Sequence, residues 1–202
     1  MDPESVSIVL ARNCWTDANK RVYIVAYKSF AMLQSLSWEP PKTRVERELP
    51  FIPTEEELDQ LIAGSGRKMA TFLQVLKDTA ARVSEAARLR WIDVDEESNT
   101  IRINHPVKGS RARVVKVSPK AIAMINNMPR TGELIFNSNT HTIEGSFWKQ
   151  RRKVARNLQN PRLLQIHLHT FRHWKATMEY HKTKDIKHVQ QMLGHKKLEN
   201  TD

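Results

Sequence analysis

The chain has 202 residues, of which 40% are hydrophobic, which suits one packed domain and part of another. A formal net charge of +11 indicates a polyanionic partner or an acidic surface. The single cysteine, Cys14, excludes an internal disulfide and a four-cysteine zinc site. Since no apolar run is long enough to span a membrane and the first residues lack signal-peptide features, we expect a cytoplasmic protein.

The first 47 residues are predicted to be mostly helical. Apolar residues from Val22 to Leu33 recur roughly as one helical stripe, with Thr16 or Asp17 as N-cap. The prolines of "WEPPKTRVERELP" then interrupt helicity, as is typical of an extended linker. We therefore assign residues 1–47 to a partial helical domain with its linker, and residues 48–202 to a second domain.

The second domain is predicted to be mainly α with a small three-stranded antiparallel sheet. It opens at "FIPTEEELDQLI", where Thr54 and Glu57 have the spacing of a capping box. Helices are predicted over about 68–79, 84–89, 119–128, 143–158, 169–181 and 185–193, with Gly194 as a C-cap. The segments "WIDVD", "NTIRINH" and "RARVVKVS" have the composition of strands, with "PVKGSR" as the last turn.

Positive charge is concentrated towards the C-terminal end of the sequence. Residues from Gly145 to Asp202 include 13 Lys and Arg against four Asp and Glu, which gives nine of the eleven net charges. Six of the eight histidines fall between His167 and His195. A solvated basic face is one explanation, but an excess of this size favours a nucleic-acid surface.

The segment "HLHTFRHWK" can be read as a metal site or as a phosphate site. His169 and His173 are four residues apart, a spacing that can bind zinc on a helix. Arg172 stands between them where a zinc hydrolase of the HExxH type carries glutamate, so a dication is disfavoured. Arg172 can instead pair with two phosphate oxygens while His169 moves a proton. The aromatic residues Phe171 and Trp174 are expected in the core.

If the segment binds a phosphodiester that reacts, the pentacoordinate phosphorane formed at phosphorus must be stabilised by more than one basic group. Two other segments offer candidates for the second group. Arg82 lies between two predicted helices, where its side chain can project into a cleft. Lys108 lies in the predicted hairpin. Each also has a simpler explanation, because Arg82 can pair with Glu85 and a hairpin lysine is usually solvated.

The order of these segments resembles the tyrosine recombinases and integrases. "TAARVSEAARLRWIDVD" is similar to their first arginine box, "VKGSRARVVKVS" to their lysine hairpin, "HLHTFRHWKATM" to the H-x-x-R box and "QQMLGHKKLENTD" to the LGH box. The resemblance covers residues 48–202 and implies the DNA breaking-rejoining fold. It also implies that residues 1–47 are part of a core-binding (SAM-like) domain.

The resemblance also implies roles for individual residues. Arg82 and Arg172 would clamp the scissile phosphate, with His169 as acid/base. Lys108 would protonate the leaving 5′ oxygen, and His195 would donate a further hydrogen bond. Glu85 would orient Arg82, and Ala80 stands where glycine is common.

Members of this family need no metal or nucleotide, so no cofactor is expected. The implied partners are double-stranded DNA and other protomers in a tetramer on paired sites, without a small-molecule substrate. The resemblance also implies association with the nucleoid.

The nucleophilic tyrosine of the family follows the LGH histidine by about nine residues, and seven residues follow His195. Tyr180 is about 12 Å along its predicted helix from Arg172, and Tyr23 and Tyr27 precede the linker. We therefore expect these 202 residues to be a truncated recombinase that binds DNA without cleaving it, unless a tyrosine is supplied in trans. Two alternatives stay open: a type IB topoisomerase and a non-catalytic DNA-binding module.

Overall fold

The computed structural model describes residues 2–43, 51–106 and 110–194. The chain divides into two compact units, Met1–Pro50 and Phe51–Asp202. The predicted domain boundary at residues 47–48 falls in the segment 44–50, outside the described residues.

The first unit contains two helices, α1 (Pro3–Arg12) and α2 (Asp17–Leu33). Thr16 is the N-cap of α2 and accepts a hydrogen bond from the Asn19 amide. The predicted stripe on α2 is only partly buried, since Ile24 is buried whereas Val22 and Leu33 are 67% and 82% exposed. Its small core consists of Val6, Leu10 and Ile24 with Trp15, Tyr27 and Trp38.

The described part of the second unit is mainly helical, as predicted. The capping box before α3 is confirmed: the Glu57 amide donates to Thr54 Oγ1 at 3.2 Å, and the Thr54 amide donates to Glu57 Oε2 at 2.9 Å. Gly194, with φ +71°, is the predicted left-handed C-cap of α9. The helices are α3 (Glu55–Ala63), α4 (Arg67–Thr79), α5 (Val83–Ala87), α6 (Pro119–Asn126), α7 (Thr140–Asn157), α8 (Thr170–Thr183) and α9 (Ile186–Leu193), with 3₁₀ turns at Trp91–Asp93 and Pro161–Gln165.

The predicted three-stranded antiparallel sheet is confirmed, in the order β1 (Val94–Asp95), β2 (Thr100–Ile103) and β3 (Arg113–Lys116). The first strand is shorter than predicted, because Trp91–Asp93 form a 3₁₀ turn. Ile101 pairs with Val115, and Ile103 pairs with Arg113. Both isoleucines are buried, so one face of the sheet covers the helical core. Of the predicted turn, residues 107–109 lie outside the described residues.

Helix α4 runs through the centre of the second unit and packs against α3, α6 and α8. Phe72 on α4 meets Phe136 edge-to-face, with ring centroids 4.9 Å apart. Phe171 and Trp174 on α8 are buried in the same core, as predicted. None of the helices in the described segments is both long and apolar enough to cross a membrane.

Two glycines are expected to respond to alanine in opposite directions. A Cβ at Gly64 would lie 2.6 Å from Val154 Cγ2, whereas a Cβ at Gly145 on α7 meets nothing within 4 Å. Overpacking should make Gly64→Ala cost about 1–3 kcal/mol of the free energy of unfolding. Helix propensity should make Gly145→Ala gain about 0.5–1 kcal/mol. Urea denaturation measures both, and equal changes would contradict the close contact at Gly64.

Candidate functional site

A cleft of about 680 Å³ on the second unit holds two of the predicted site residues, Arg82 and His169. The N-terminal residues of α5 form one side of this cleft. The other side is formed by α7 and the turn that precedes α8. The described lining residues are Arg82, Val83, Ser84, Thr140, Glu144, Phe147, Trp148, Arg151, His167, Leu168 and His169.

Arg82 is the N-cap of α5, and its side chain is 19% exposed. Ala80 at the end of α4 has a left-handed backbone, with φ 52°, which turns the chain towards Arg82. The Arg82 Nη1 atom donates to Ser110 Oγ at 2.6 Å and lies 3.3 Å from Glu85 Oε1. The Arg82 amide donates to Glu85 Oε2 at 3.0 Å. The Arg82 side chain is thus held at the edge of the cleft.

The side chain of Glu85 is fully buried beneath Arg82. A second arginine, Arg113 on β3, donates from Nη2 to Glu85 Oε2 at 2.9 Å. Burial by itself would raise the pKa of Glu85, but the hydrogen bonds from Arg113 and the Arg82 amide, with the charges of Arg113 and Arg172, hold it below its ordinary value. The ion pair anticipated between Arg82 and Glu85 is therefore one part of a larger charged cluster.

Arg113 was missed by the sequence reasoning. Its side chain is 7% exposed and lies on the same face of β3 as Val115. The alternation in "RARVVKVS" could have indicated that Arg113 faces the core, because it places Arg113 on the same side of the strand as Val115 and Val117. An arginine on an apolar face needs a buried anion, and Glu85 supplies it.

Arg172 is buried on the inner side of α8. Its Nη1 atom donates to the Ala80 carbonyl at 2.5 Å, and Nη2 donates to the Leu193 carbonyl at 2.7 Å. Burial, followed by the positive charges of Arg82 and Arg113, lowers the pKa of Arg172 to about 9. Arg172 therefore stays cationic at neutral pH and joins the ends of α4 and α9.

His169 begins α8 and is exposed in the cleft. Its carbonyl accepts from the Arg172 amide at 3.1 Å, so the two predicted residues share the first turn of α8. The rings of His169 and His173 meet edge-to-face, with centroids 4.7 Å apart. Within the described segments, no three His, Cys, Asp or Glu side chains are grouped so as to hold a metal ion.

Lys108 and His195 both lie outside the described residues, but a neighbour of each is described. Ser110, two positions after Lys108, bonds to Arg82. Gly194, directly before His195, accepts at its carbonyl from the Arg111 amide at 3.0 Å. The hairpin segment and the end of α9 therefore meet beside Arg82.

A buried arginine on the cleft wall, Arg151, was also missed. Its Nη1 atom donates to the Ile166 carbonyl at 2.5 Å and lies 3.5 Å from His167 Nδ1. Burial and the charge of Arg152 lower the pKa of Arg151. The contact fixes the segment just before His169 and adds positive charge to the cleft, a role that periodicity alone does not predict.

A second, basic groove of about 710 Å³ follows the exposed side of α7. Lys149, Arg152, Lys153 and Arg156 line it. The Arg152 guanidinium lies 4.6 Å from the centroid of the Trp148 ring. Because Trp148 also lines the cleft of Arg82 and His169, the two cavities share a wall. This surface holds part of the predicted basic excess.

Comparison with known proteins identifies relatives of this chain. The model of the phage integrase family matches residues 52–202. Tyrosine recombinase XerC of Xanthomonas axonopodis pv. citri (strain 306) is 26% identical over 168 residues, covering 78% of this chain and 54% of the relative. A tyrosine recombinase of Thermosipho africanus (strain TCF52B) is 26% identical over 197 residues, covering 89% of this chain and 68% of the relative.

The fold is that of solved recombinases. The crystal structure of the XerH site-specific recombinase bound to difH substrate, a pre-cleavage complex, superposes with a TM-score of 0.75 at 22% identity. The match covers all of this chain and 66% of that one. The chain thus spans about half to two-thirds of the length of these three proteins.

Arg172→Lys should destabilise the second unit, because an ammonium cannot reproduce the paired bonds to the Ala80 and Leu193 carbonyls. We expect a loss of about 3 kcal/mol in the free energy of unfolding, with faster amide exchange in α9. The exposed Arg152→Lys is the control and should change stability by less than about 0.5 kcal/mol. Unchanged exchange in α9 would show that this helix does not depend on Arg172.

Glu85→Gln should alter the pH dependence of stability. Because folding lowers the pKa of Glu85, the charged carboxylate stabilises the fold above its unfolded pKa, and this contribution is lost as pH falls through the folded pKa. The difference in unfolding free energy between wild type and Glu85→Gln should be largest near pH 7 and shrink below about pH 4. Chemical denaturation across this range measures it, with the exposed Glu144→Gln as control. Parallel curves for wild type and Glu85→Gln would contradict the buried ion pairs.

Proposed function

Because the chain belongs to the phage integrase family, we propose that it is a site-specific DNA recombinase that cleaves and rejoins strands through a 3′-phosphotyrosine intermediate. The observation that supports this most is the cluster of Arg82, Arg113 and Arg172 around the carboxylate of Glu85. Arg82 of this cluster lines one cleft with His169. The excess positive charge suits the scissile phosphate, whose charge grows in the transition state.

The two predicted clamp arginines have different parts in this proposal. Arg82 is partly exposed at the cleft and contacts a non-bridging phosphate oxygen directly. Arg172 is buried and held by two carbonyls, so it acts mainly through its charge and by fixing the start of α8. His169, on that first turn, accepts the proton of the attacking hydroxyl.

The reaction then follows as a transfer of the phosphoryl group between two oxygens. A tyrosine oxygen attacks phosphorus, its proton passes to His169, and the bond to the 5′ oxygen breaks. Lys108 supplies a proton to that oxygen, and His195 donates a hydrogen bond to the phosphate. The 3′-phosphotyrosine bond retains the energy of the broken linkage, so attack by a 5′ hydroxyl reverses the step.

The tyrosines of these 202 residues are poor nucleophile candidates. Tyr180 lies eight residues beyond Arg172 on α8, about 12 Å along the helix axis, and Tyr23 and Tyr27 belong to the first unit. We propose that this polypeptide by itself binds DNA without cleaving it. Cleavage then requires a tyrosine from outside these residues, including one from another protomer of a tetramer on paired sites. We also propose that residues 1–47 are part of a core-binding domain with its linker and that the protein acts on nucleoid DNA in the cytoplasm.

Binding of duplex DNA by the purified chain tests the polyanion surface. Affinity for a random-sequence duplex should fall steeply between about 50 and about 200 mM salt, because bound Lys and Arg release counterions. Arg152→Gln with Arg156→Gln on α7 should weaken binding and reduce the salt slope. Arg130→Gln, whose side chain pairs with Glu96, is the control. Fluorescence anisotropy measures all three proteins, and a flat salt response would contradict the proposal.

Selection from a pool of random duplexes then separates a type IB topoisomerase from the other two candidates. A site-specific recombinase or a DNA-binding module enriches one sequence, whereas a type IB topoisomerase enriches none. A nicked form of the selected duplex is next incubated with the chain and denatured in detergent. We expect no covalent complex with the 202-residue chain. A trapped complex would show that one of its own tyrosines is the nucleophile.

A further inference from the structure

The hydroxyl of Ser110 lies where three segments of the cleft meet. Ser110 belongs to the predicted lysine hairpin and is 7% exposed. Its Oγ accepts from Arg82 Nη1 at 2.6 Å and donates to the Gly194 carbonyl at 3.2 Å. One hydroxyl therefore connects the arginine before α5, the segment before β3 and the end of α9.

The end of α9 is held closely at this point. The Gly194 carbonyl also accepts from the Arg111 amide at 3.0 Å, so two consecutive residues of the hairpin segment bond to it. A Cβ at Gly194 would lie 3.0 Å from Arg113 Nη1, 3.1 Å from the Arg111 carbonyl and 3.2 Å from Ser110 Oγ. Both this crowding and the left-handed backbone favour glycine. A displacement of α9 would therefore displace Ser110 with it.

Two arginines of the cluster, Arg172 and Arg82, are connected to the end of α9 through adjacent carbonyls, one directly and one through Ser110. Arg172 donates directly to the Leu193 carbonyl at 2.7 Å. Arg82 reaches the next carbonyl, that of Gly194, through the Ser110 hydroxyl. Arg82 and Arg172 are thus connected through the backbone at the end of α9, and Ser110 provides the bond on the Arg82 side.

Removal of this hydroxyl leaves an acidic partner close to Arg82. The Arg82 Nη1 atom lies 3.3 Å from Glu85 Oε1 but 2.6 Å from Ser110 Oγ. Without Ser110 Oγ, attraction to the buried carboxylate turns the guanidinium inward, away from the cleft. The hydroxyl opposes this movement because it is fixed on its other side by the Gly194 carbonyl.

We infer that Ser110 is a positioning residue that holds Arg82 towards the phosphate and aligns it with the end of α9. The inference rests on the proposed phosphate site but assigns a role to a residue outside the predicted clamp.

The test measures inorganic phosphate binding by the 202-residue chain at low ionic strength. The Nε–H resonance of Arg82 is followed by NMR in wild type and in Ser110→Ala. We expect Ser110→Ala to raise the Kd for phosphate roughly fivefold or more, because Arg82 loses its 2.6 Å bond to the Ser110 hydroxyl. Ser110→Cys, which keeps the volume and only a weak donor, should give an intermediate Kd and provides a second variant if alanine impairs folding.

Ser118→Ala is the matched control. The Ser118 hydroxyl also donates one bond, to Asp78 Oδ2 at 2.6 Å, and accepts one, from the Ala121 amide at 3.2 Å. It caps α6, so its loss should lower stability and leave the Kd for phosphate within about twofold of wild type. This comparison separates a general loss of stability from an effect on Arg82.

A double-mutant cycle with Arg82→Lys, in which phosphate binding is followed in all four proteins through the backbone amide resonances of α5, tests whether Ser110 acts through Arg82. If it does, Ser110→Ala should add little to the loss caused by Arg82→Lys. Wild-type affinity in Ser110→Ala, or full additivity with Arg82→Lys, would overturn the inference while leaving the phosphate site intact. The absence of a saturable shift in wild type would overturn the phosphate site itself, and the inference with it.

Discussion

The buried carboxylate of Glu85 permits the positive charges of the cleft to be brought together. Arg82, Arg113 and Arg172 repel one another, and their repulsion is strong in a region from which water is excluded. Glu85 offsets it by bonding Arg82 and Arg113 while its charge attracts Arg172. One carboxylate does not neutralise three guanidinium groups. The remaining charge attracts a phosphate, so the ion cluster that stabilises the fold also prepares the site.

The cleft is assembled largely by bonds from side chains to backbone carbonyls of other segments. Arg172 bonds to the Ala80 and Leu193 carbonyls, Ser110 to that of Gly194, and Arg151 to that of Ile166. A carbonyl has a fixed direction once its helix is packed, so it places a guanidinium or hydroxyl more firmly than a mobile side chain does. The apolar core around α4 and α8 therefore determines the geometry of the charged groups.

Sequence reasoning predicts the features that depend on local periodicity and capping. The helices, the antiparallel sheet and the caps at Thr54 and Gly194 are confirmed, and Arg82 and His169 line one cleft. It misses Arg113 and Arg151, because a buried arginine differs from a solvated one in its partners. The partner of Arg113 is Glu85, which is distant in the sequence, and the partner of Arg151 is a carbonyl in the turn before α8. On α2, apolar spacing predicts the helix correctly, yet spacing carries no information on whether a partner covers the stripe.

Ala80 shows how one departure from a family pattern is accommodated. Its left-handed backbone, with φ 52°, favours glycine, and alanine there costs roughly 1 kcal/mol. Its methyl group is buried with Val189 and Leu193 of α9, which returns a similar amount. The carbonyl of the same residue receives Arg172. The methyl group thus connects the end of α4 to α9, and the carbonyl connects it to Arg172 on α8. Glycine at this position would relieve the backbone strain but would lack the apolar contact with α9.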